Sequence, residues 1–330
     1  MKTFFKKNCI FFIVMSAVLI LLMVLGTFKD YQISTLLVGH SLDGGKYQAT
    51  NFFAQIFEVI GVLPLYIFVT FGCNVLFIKY FHQDKRIIVR IIGIIFAILG
   101  VLSLMYGFKG VDEYIADQFS HGNVYGEKNS LFSSSLIKYL VLFVISAPLS
   151  FVIYLFTKKK LNKYIDNLVI FAYIIIGTLL ISQGIIQLVI KPYMGRARYR
   201  TINYLSYLGN GTPDFTRWYV SAGKTKDFAM FYNVPKDYFK SFPSGHTSGA
   251  GITFTLFCLP AIFTMKRKDI VMMYTIAIII PVVVAITRVM MGAHFTSDVT
   301  MGMIIVFISS LISSIICLLL FKVDKKQIKE

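Results

Sequence analysis

Hydrophobic residues in this chain run in long, nearly unbroken blocks instead of recurring every second or every third to fourth position. A block of about 20 apolar residues is what a helix needs to cross the hydrocarbon core of a bilayer. Eight such spans are predicted, over residues 10–27, 56–78, 87–108, 136–156, 168–190, 247–265, 270–287 and 299–321. The closed β-barrel also satisfies every backbone group in lipid, but its strands alternate apolar and polar residues, and these blocks are apolar throughout. The expected fold is therefore all-α: a polytopic helical membrane protein with about eight transmembrane helices. The longest polar interval, residues 191–245, is rich in Tyr and Phe and holds the single Trp, Trp218. A connection of that length inside a compact fold is usually functional or disordered, and its aromatic content suits an ordered body at headgroup level.

Composition agrees with the pattern. Of 330 residues, 56% are hydrophobic and 15% charged, far from the balance of a soluble globular domain. Lys2, Lys6 and Lys7 precede the first block as a signal-peptide n-region would. That block is long, however, and ends in VLGTFKDYQ without a small-x-small cleavage site, so a retained anchor is expected. Cys9, Cys73, Cys258 and Cys317 lie in or beside apolar spans without paired spacing, which points to neither disulfides nor a zinc site.

Charge changes the picture by giving it an orientation. In an eight-span arrangement Lys2, Lys6 and Lys7, then Lys79, Lys85, Arg86 and Arg90, then Lys158, Lys159, Lys160 and Lys163, then Lys266, Arg267 and Lys268, then Lys322, Lys325, Lys326 and Lys329 all fall on one side. Residues 29–50 and 109–135, on the other side, are poorer in cations and hold Asp30, Asp43, Asp112, Glu113, Asp117 and Glu127. The positive-inside rule then predicts cytoplasmic termini in a multi-pass cell-membrane protein. Most of the formal charge of +17 is explained by this topology and by anionic headgroups, and no nucleic-acid partner is indicated. The interval 191–245 breaks the rule with Lys191, Arg196, Arg198, Arg200, Arg217, Lys224, Lys226, Lys236 and Lys240 on the outer side. Long loops weigh little in topology, so these cations call for a functional reason.

Three polar clusters supply one: KPYMGRAR at Lys191 to Arg198, PSGH at Pro243 to His246, and RVMMGAHFTSD at Arg288 to Asp298, all at the same outer face. Lys191, Arg198 and Arg288 bring the donors and charge that a phosphate attracts. Ser244, Gly245 and His246 stand where a helix begins, with backbone N–H groups free for an anion and a glycine permitting close approach. His294 and Asp298 are four apart, which predicts a shared helical face on which the carboxylate orients the imidazole for attack. His246 is then suited to general acid work on a leaving oxygen. Taken singly, Lys191 is as well explained as a snorkelling interface lysine, His246 as a capping or interfacial residue, and Arg288 with Asp298 as a structural ion pair.

Together the clusters resemble the three-part signature of the type 2 phosphatidic acid phosphatase, or PAP2, superfamily: K-x6-R-P, P-S-G-H and S-R-x5-H-x3-D. All internal spacings are kept, with Tyr199 in place of the motif's proline and Thr287 in place of its serine. The resemblance implies a six-helix phosphatase core over residues 85–330, preceded by a two-helix membrane extension over residues 1–84 that the family pattern does not explain. It implies that His294 is the nucleophile forming a phosphohistidine, with Asp298 as its partner and His246 as the acid. It further implies that Lys191, Arg198, Ser244, Gly245 and Arg288 bind the phosphate and that no metal or other cofactor is needed. The outer loops hold no obvious carboxylate cluster near these motifs, in keeping with that.

The expected activity is hydrolysis of a lipid phosphate or pyrophosphate at the outer membrane surface. Phosphatidic acid, phosphatidylglycerol phosphate and a polyprenyl pyrophosphate all fit, with membrane lipids as the surroundings. Two alternatives remain open. One is a phosphotransferase on the same scaffold; the other is a non-enzymatic transporter, which would gather its polar residues near the bilayer midplane in broken, repeated helices. Gln183, Gln187 and Lys191 share helical spacing and read either as a polar stripe below the site or as helix–helix contacts. Glu58, with Gln55 near it, is an intramembrane carboxylate, expected to pack the extra hairpin against the core. His40, His82 and His121 are assigned no role.

Overall fold

The computed structural model describes residues 2–43, 47, 51–119, 130–132, 134–209 and 211–323. Thirteen helices are described: α1 (Lys2–Val38), α2 (Phe52–Ile60), α3 (Leu63–Phe77), α4 (Ile87–Phe119), α5 (Ser135–Phe156), α6 (Ile165–Gln183), α7 (Lys191–Met194), α8 (Tyr199–Leu208), α9 (Thr225–Phe231), α10 (Gly245–Ala250), α11 (Leu259–Ile262), α12 (Arg267–Met290) and α13 (Thr296–Leu320). There is no strand among the described residues, so the all-α expectation holds. His121, Glu127, Lys325, Lys326 and Lys329 lie outside the described residues.

Six helical runs are long and apolar enough to cross a membrane: Asn8–Val38, Phe52–His82, Ile87–Ala116, Ser135–Leu208, Arg267–Met290 and Thr296–Leu320. The run Ser135–Leu208 contains two of the predicted spans, joined by a π-helical turn at Thr157–Leu161 and a 3-10 turn at Asn162–Tyr164. The remaining predicted span, 247–265, is not a single helix. It is assembled from α10, a 3-10 stretch Gly251–Cys258 in which every residue is buried, and α11. Its sequence explains the tight winding. Thr253 and Thr255 turn their hydroxyls back onto the carbonyls of Ala250 and Ile252, 3.0 and 2.7 Å away, and Pro260 removes a backbone donor. A Cβ on Gly251 would lie 2.4 Å from Val306 Cγ1, so this segment comes closer to α13 than a larger residue would permit.

The span 56–78 is also divided. α2 ends at Ile60 and α3 begins at Leu63, because Pro64 has no N–H with which to continue the α2 ladder. The buried core joins α6, the 251–258 segment, α11, α12 and α13, with the α1 side chains Phe4, Met15 and Leu19 built into it. Apolar side chains on α1, α4 and α5, such as Ile10, Ile88 and Val144, are exposed, as lipid-facing surfaces should be. Lys79 meets Asp166 at 2.6 Å and His82 meets the Tyr154 hydroxyl at 3.0 Å, which gathers basic connections at one end of the bundle. The three polar clusters gather at the other. His40, by contrast, meets the exposed Asp43 at 3.1 Å among the described residues.

Candidate active site

A cavity of about 340 Å³ opens at that second end. Lys191, Arg198, Gly245, His246 and His294 line it together, although they come from α7, the chain entering α8, the start of α10 and the turn before α13. Ser244, Arg288 and Asp298 are fully or almost fully buried immediately behind that surface. Each is engaged there. The Ser244 hydroxyl is the N-cap of α10 and accepts from the Thr247 N–H at 3.4 Å, while the Ser244 N–H donates to the Asp298 carbonyl at 3.0 Å. A Cβ on Gly302 would lie 2.6 Å from the Ser244 carbonyl oxygen, so α13 supports the PSGH turn by contact that only glycine allows. Gly245 serves the cavity itself, since a Cβ there would come within 3.3 Å of Lys191 Nζ.

His294 does not share a helix with Asp298, as its spacing suggested. α13 starts at Thr296, and His294 occupies the preceding turn, shaped by Gly292 at φ +61°. Its Nδ1 lies 2.6 Å from the Ser241 carbonyl oxygen and 3.8 Å from Asp298 Oδ2, too far for a hydrogen bond. A carbonyl only accepts, so Nδ1 carries the proton and the Nε2 lone pair is left for chemistry. Asp298 acts one step behind. It accepts from the Ser241 hydroxyl at 2.5 Å and from the Phe295 N–H at 2.8 Å, and it pairs with Arg196. Ser241 is thus the residue that links the carboxylate to the imidazole, and its position just before PSGH gives no signal of that role.

Arg196, which the sequence presents as one cation among nine in the long outer interval, is fully buried and central. Its guanidinium pairs with Asp298 and, at 2.9 Å, with Asp30 of α1, donates to Ser297 Oγ at 2.9 Å, and stacks over Phe295 at 4.4 Å. Asp30 also accepts from the Ser297 N–H at 2.8 Å, at the first turn of α13. The first helix is therefore wired to the turn that carries His294. Tyr199 strengthens the same attachment. It stands at the first position of α8, where a proline fits because no intrahelical donor is lost, and its hydroxyl donates to Thr35 Oγ1 of α1 at 3.1 Å. Thr287 turns its hydroxyl back onto the Val283 and Val284 carbonyls, both at 3.0 Å.

Two carboxylates line the cavity that sequence reading did not bring to it. Asp237 binds Arg198 at 2.7 Å, and Glu113 of α4 sits 3.5 Å from Lys109. Tyr114, the next residue, sets its ring edge-on to His246 with centroids 5.1 Å apart. Gln183 and Gln187 line the cavity below Lys191, and Gln183 also donates to Ser248 at 3.3 Å, so the polar stripe is both lining and helix contact.

The electrostatics favour an anion. Burial, then the charge of Arg288 with further contributions from Lys191 and Arg198, holds His246 well below the ordinary histidine value. Burial pushes His294 down to about 3, with Arg288 and Arg198 adding to it and Asp298 pulling the other way. Burial and the neighbouring guanidinium charges thus favour the neutral imidazole of His294. Among the described residues, His246 Nε2 and Arg288 Nε are buried without a hydrogen-bond partner; His246 lines the cavity, where a bound oxyanion would satisfy it.

Residues 171–319 match the family model described as the PAP2 superfamily. Searches of curated proteins and of solved structures gave no match.

Proposed function

We propose that this chain, whose residues 171–319 match the PAP2 superfamily model, is an integral membrane phosphatase of that superfamily, acting on a lipid phosphate or pyrophosphate at the outer surface. The superfamily supports phosphatase action on phosphate esters in a membrane protein. The finer reading rests on one observation: two histidines, one with its Nε2 lone pair defined by the Ser241 carbonyl, share a cavity with Lys191 and Arg198.

Lys191 and Arg198 bind the phosphate oxygens, with Arg288 behind them. The dianion opposes the cationic field on His246 and restores its affinity for a proton. His294 Nε2 attacks phosphorus, the P–N bond forms, and the bond to the leaving oxygen breaks as His246 delivers its proton there. Water then attacks the phosphohistidine and gives a proton to His246; the P–N bond breaks and inorganic phosphate leaves. A site at helix ends, at the headgroup level, suits a substrate whose phosphate is polar and whose chains stay in the bilayer. The basic connections support a cytoplasmic setting for the opposite end of the bundle.

The test is His294→Ala assayed in detergent against a panel of lipid phosphates and pyrophosphates. Wild type is expected to release phosphate without any added acceptor alcohol and to retain label on protein after a brief quench that avoids acid, whereas the variant does neither. Full activity in a folded, inserted His294→Ala protein would refute the mechanism. Release that requires an acceptor alcohol would favour the phosphotransferase.

A further inference from the structure

Three carboxylates reach the site from outside the family-matched residues, Asp30, Glu58 and Glu113, and Glu58 is the one that pairs with Arg288. It is fully buried, and its Oε1 accepts from Arg288 Nη1 at 2.7 Å, with Arg200 Nη1 3.7 Å away. Its placement follows from the way α2 lies along the end of α12. Ala54 packs with Met291 and Ala293, and a Cβ on Gly61 would lie 3.2 Å from Val284. Positions 54 and 58 of α2 and its C-cap residue Gly61 lie on one face, and they meet 291, 288 and 284 of the other chain segment in reverse order. The contacts on either side therefore fix Glu58 opposite Arg288. Asn51 secures the start of α2 by accepting from the Ala54 N–H at 3.0 Å.

An arginine buried behind a cavity needs a counter-charge while the cavity is empty, and a fixed direction when it is filled. Glu58 meets both needs: it compensates the charge and holds one corner of the planar guanidinium, so the arginine is oriented before substrate arrives. A carboxylate supplied only to fasten the extension could pair with any exposed cation. This one pairs with the arginine whose charge acts on both His246 and His294.

We propose that Glu58 is a positioning residue for Arg288, so that the segment preceding the family-matched region completes the phosphate site. This rests on the phosphatase reading for its catalytic meaning, but its test does not depend on turnover. Inorganic phosphate is titrated calorimetrically into the purified full-length protein and into Glu58→Gln, Arg288→Gln and the double variant. Glu58→Gln is expected to weaken phosphate binding at least about tenfold, and the double variant to bind no more weakly than Arg288→Gln alone. Where the wild type is active, kcat/KM follows the same coupling.

Independent, multiplying losses would overturn the proposal, as would wild-type phosphate affinity in Glu58→Gln or a wild-type protein that binds no phosphate. Should Glu58→Gln fail to accumulate in the membrane, the comparison of Arg288→Gln with the double variant decides alone: equal affinities support the proposal, and a weaker double variant refutes it. Coupled phosphate binding in a protein that hydrolyses no lipid phosphate would remove the phosphatase reading and leave the positioning role. Hydrolysis with uncoupled losses would do the reverse.

Discussion

At the scale of single residues the site divides by accessibility. His246 and His294 line the cavity, whereas Asp298, Ser244 and Arg288 work through what they hold. In the proposed mechanism His246 transfers the proton while Lys191 and Arg198 bind the phosphate, so the two functions can be separated by the choice of leaving group. An aryl oxygen leaves with little need of a proton, while an alkyl oxygen needs one. His246→Ala should therefore lose far more activity on an alkyl phosphate than on an activated aryl phosphate, by at least about tenfold more in kcat/KM. Equal losses on the two substrates would leave His246 as a phosphate contact only. The sequence made both histidines legible through their spacing to arginine and aspartate. It could not show that the Ser241 carbonyl accepts a hydrogen bond from the Nδ1–H of His294, because that partner lies 53 positions away and carries no chemical signature of its own.

At the scale of elements, α1 behaves as part of the site. Gly26 lets it approach α13 so closely that a Cβ would fall 2.8 Å from the Ser297 nitrogen. Trp218 of the long outer loop donates to Thr27 at 2.9 Å, and Asp30 holds Arg196 and the first turn of α13. Replacing one member of a buried charge network leaves its partner uncompensated, at a cost of about 3 kcal/mol. Asp30→Asn should thus lower the detergent melting temperature clearly, and lower activity by loosening the turn that carries His294. A melting temperature within error of wild type would show that Asp298 alone suffices for Arg196. From the sequence, α1 reads as an anchor, since Asp30 stands just beyond the apolar block and nothing local ties it to residue 196.

At the scale of the whole molecule, the site and the basic connections occupy opposite ends of the bundle, which makes sidedness measurable. Single cysteines at the exposed positions Tyr219 and Phe231 are expected to react with an impermeant thiol reagent in intact cells. Cysteines at Lys159 and Lys266 are expected to react only after permeabilisation. Labelling of position 159 in intact cells would reverse the orientation.

Hydrophobic block length determined by itself that this chain is helical and belongs in a membrane, because in lipid only a closed hydrogen-bond ladder satisfies the backbone and the blocks must match the bilayer. Motif spacing determined which residues would meet, since Lys191 with Arg198 and Arg288 with His294 are each tied by a short stretch of chain. Tertiary structure decided the rest: the breaks at Gly61 to Pro64 and through Gly251–Cys258, the role of Ser241, and the recruitment of Asp30 and Glu58 to Arg196 and Arg288. Those outcomes depend on which buried charge finds which counter-charge across more than a hundred intervening residues. A sequence states the local spacing of such groups, but only the packed bundle fixes the distances that pair them.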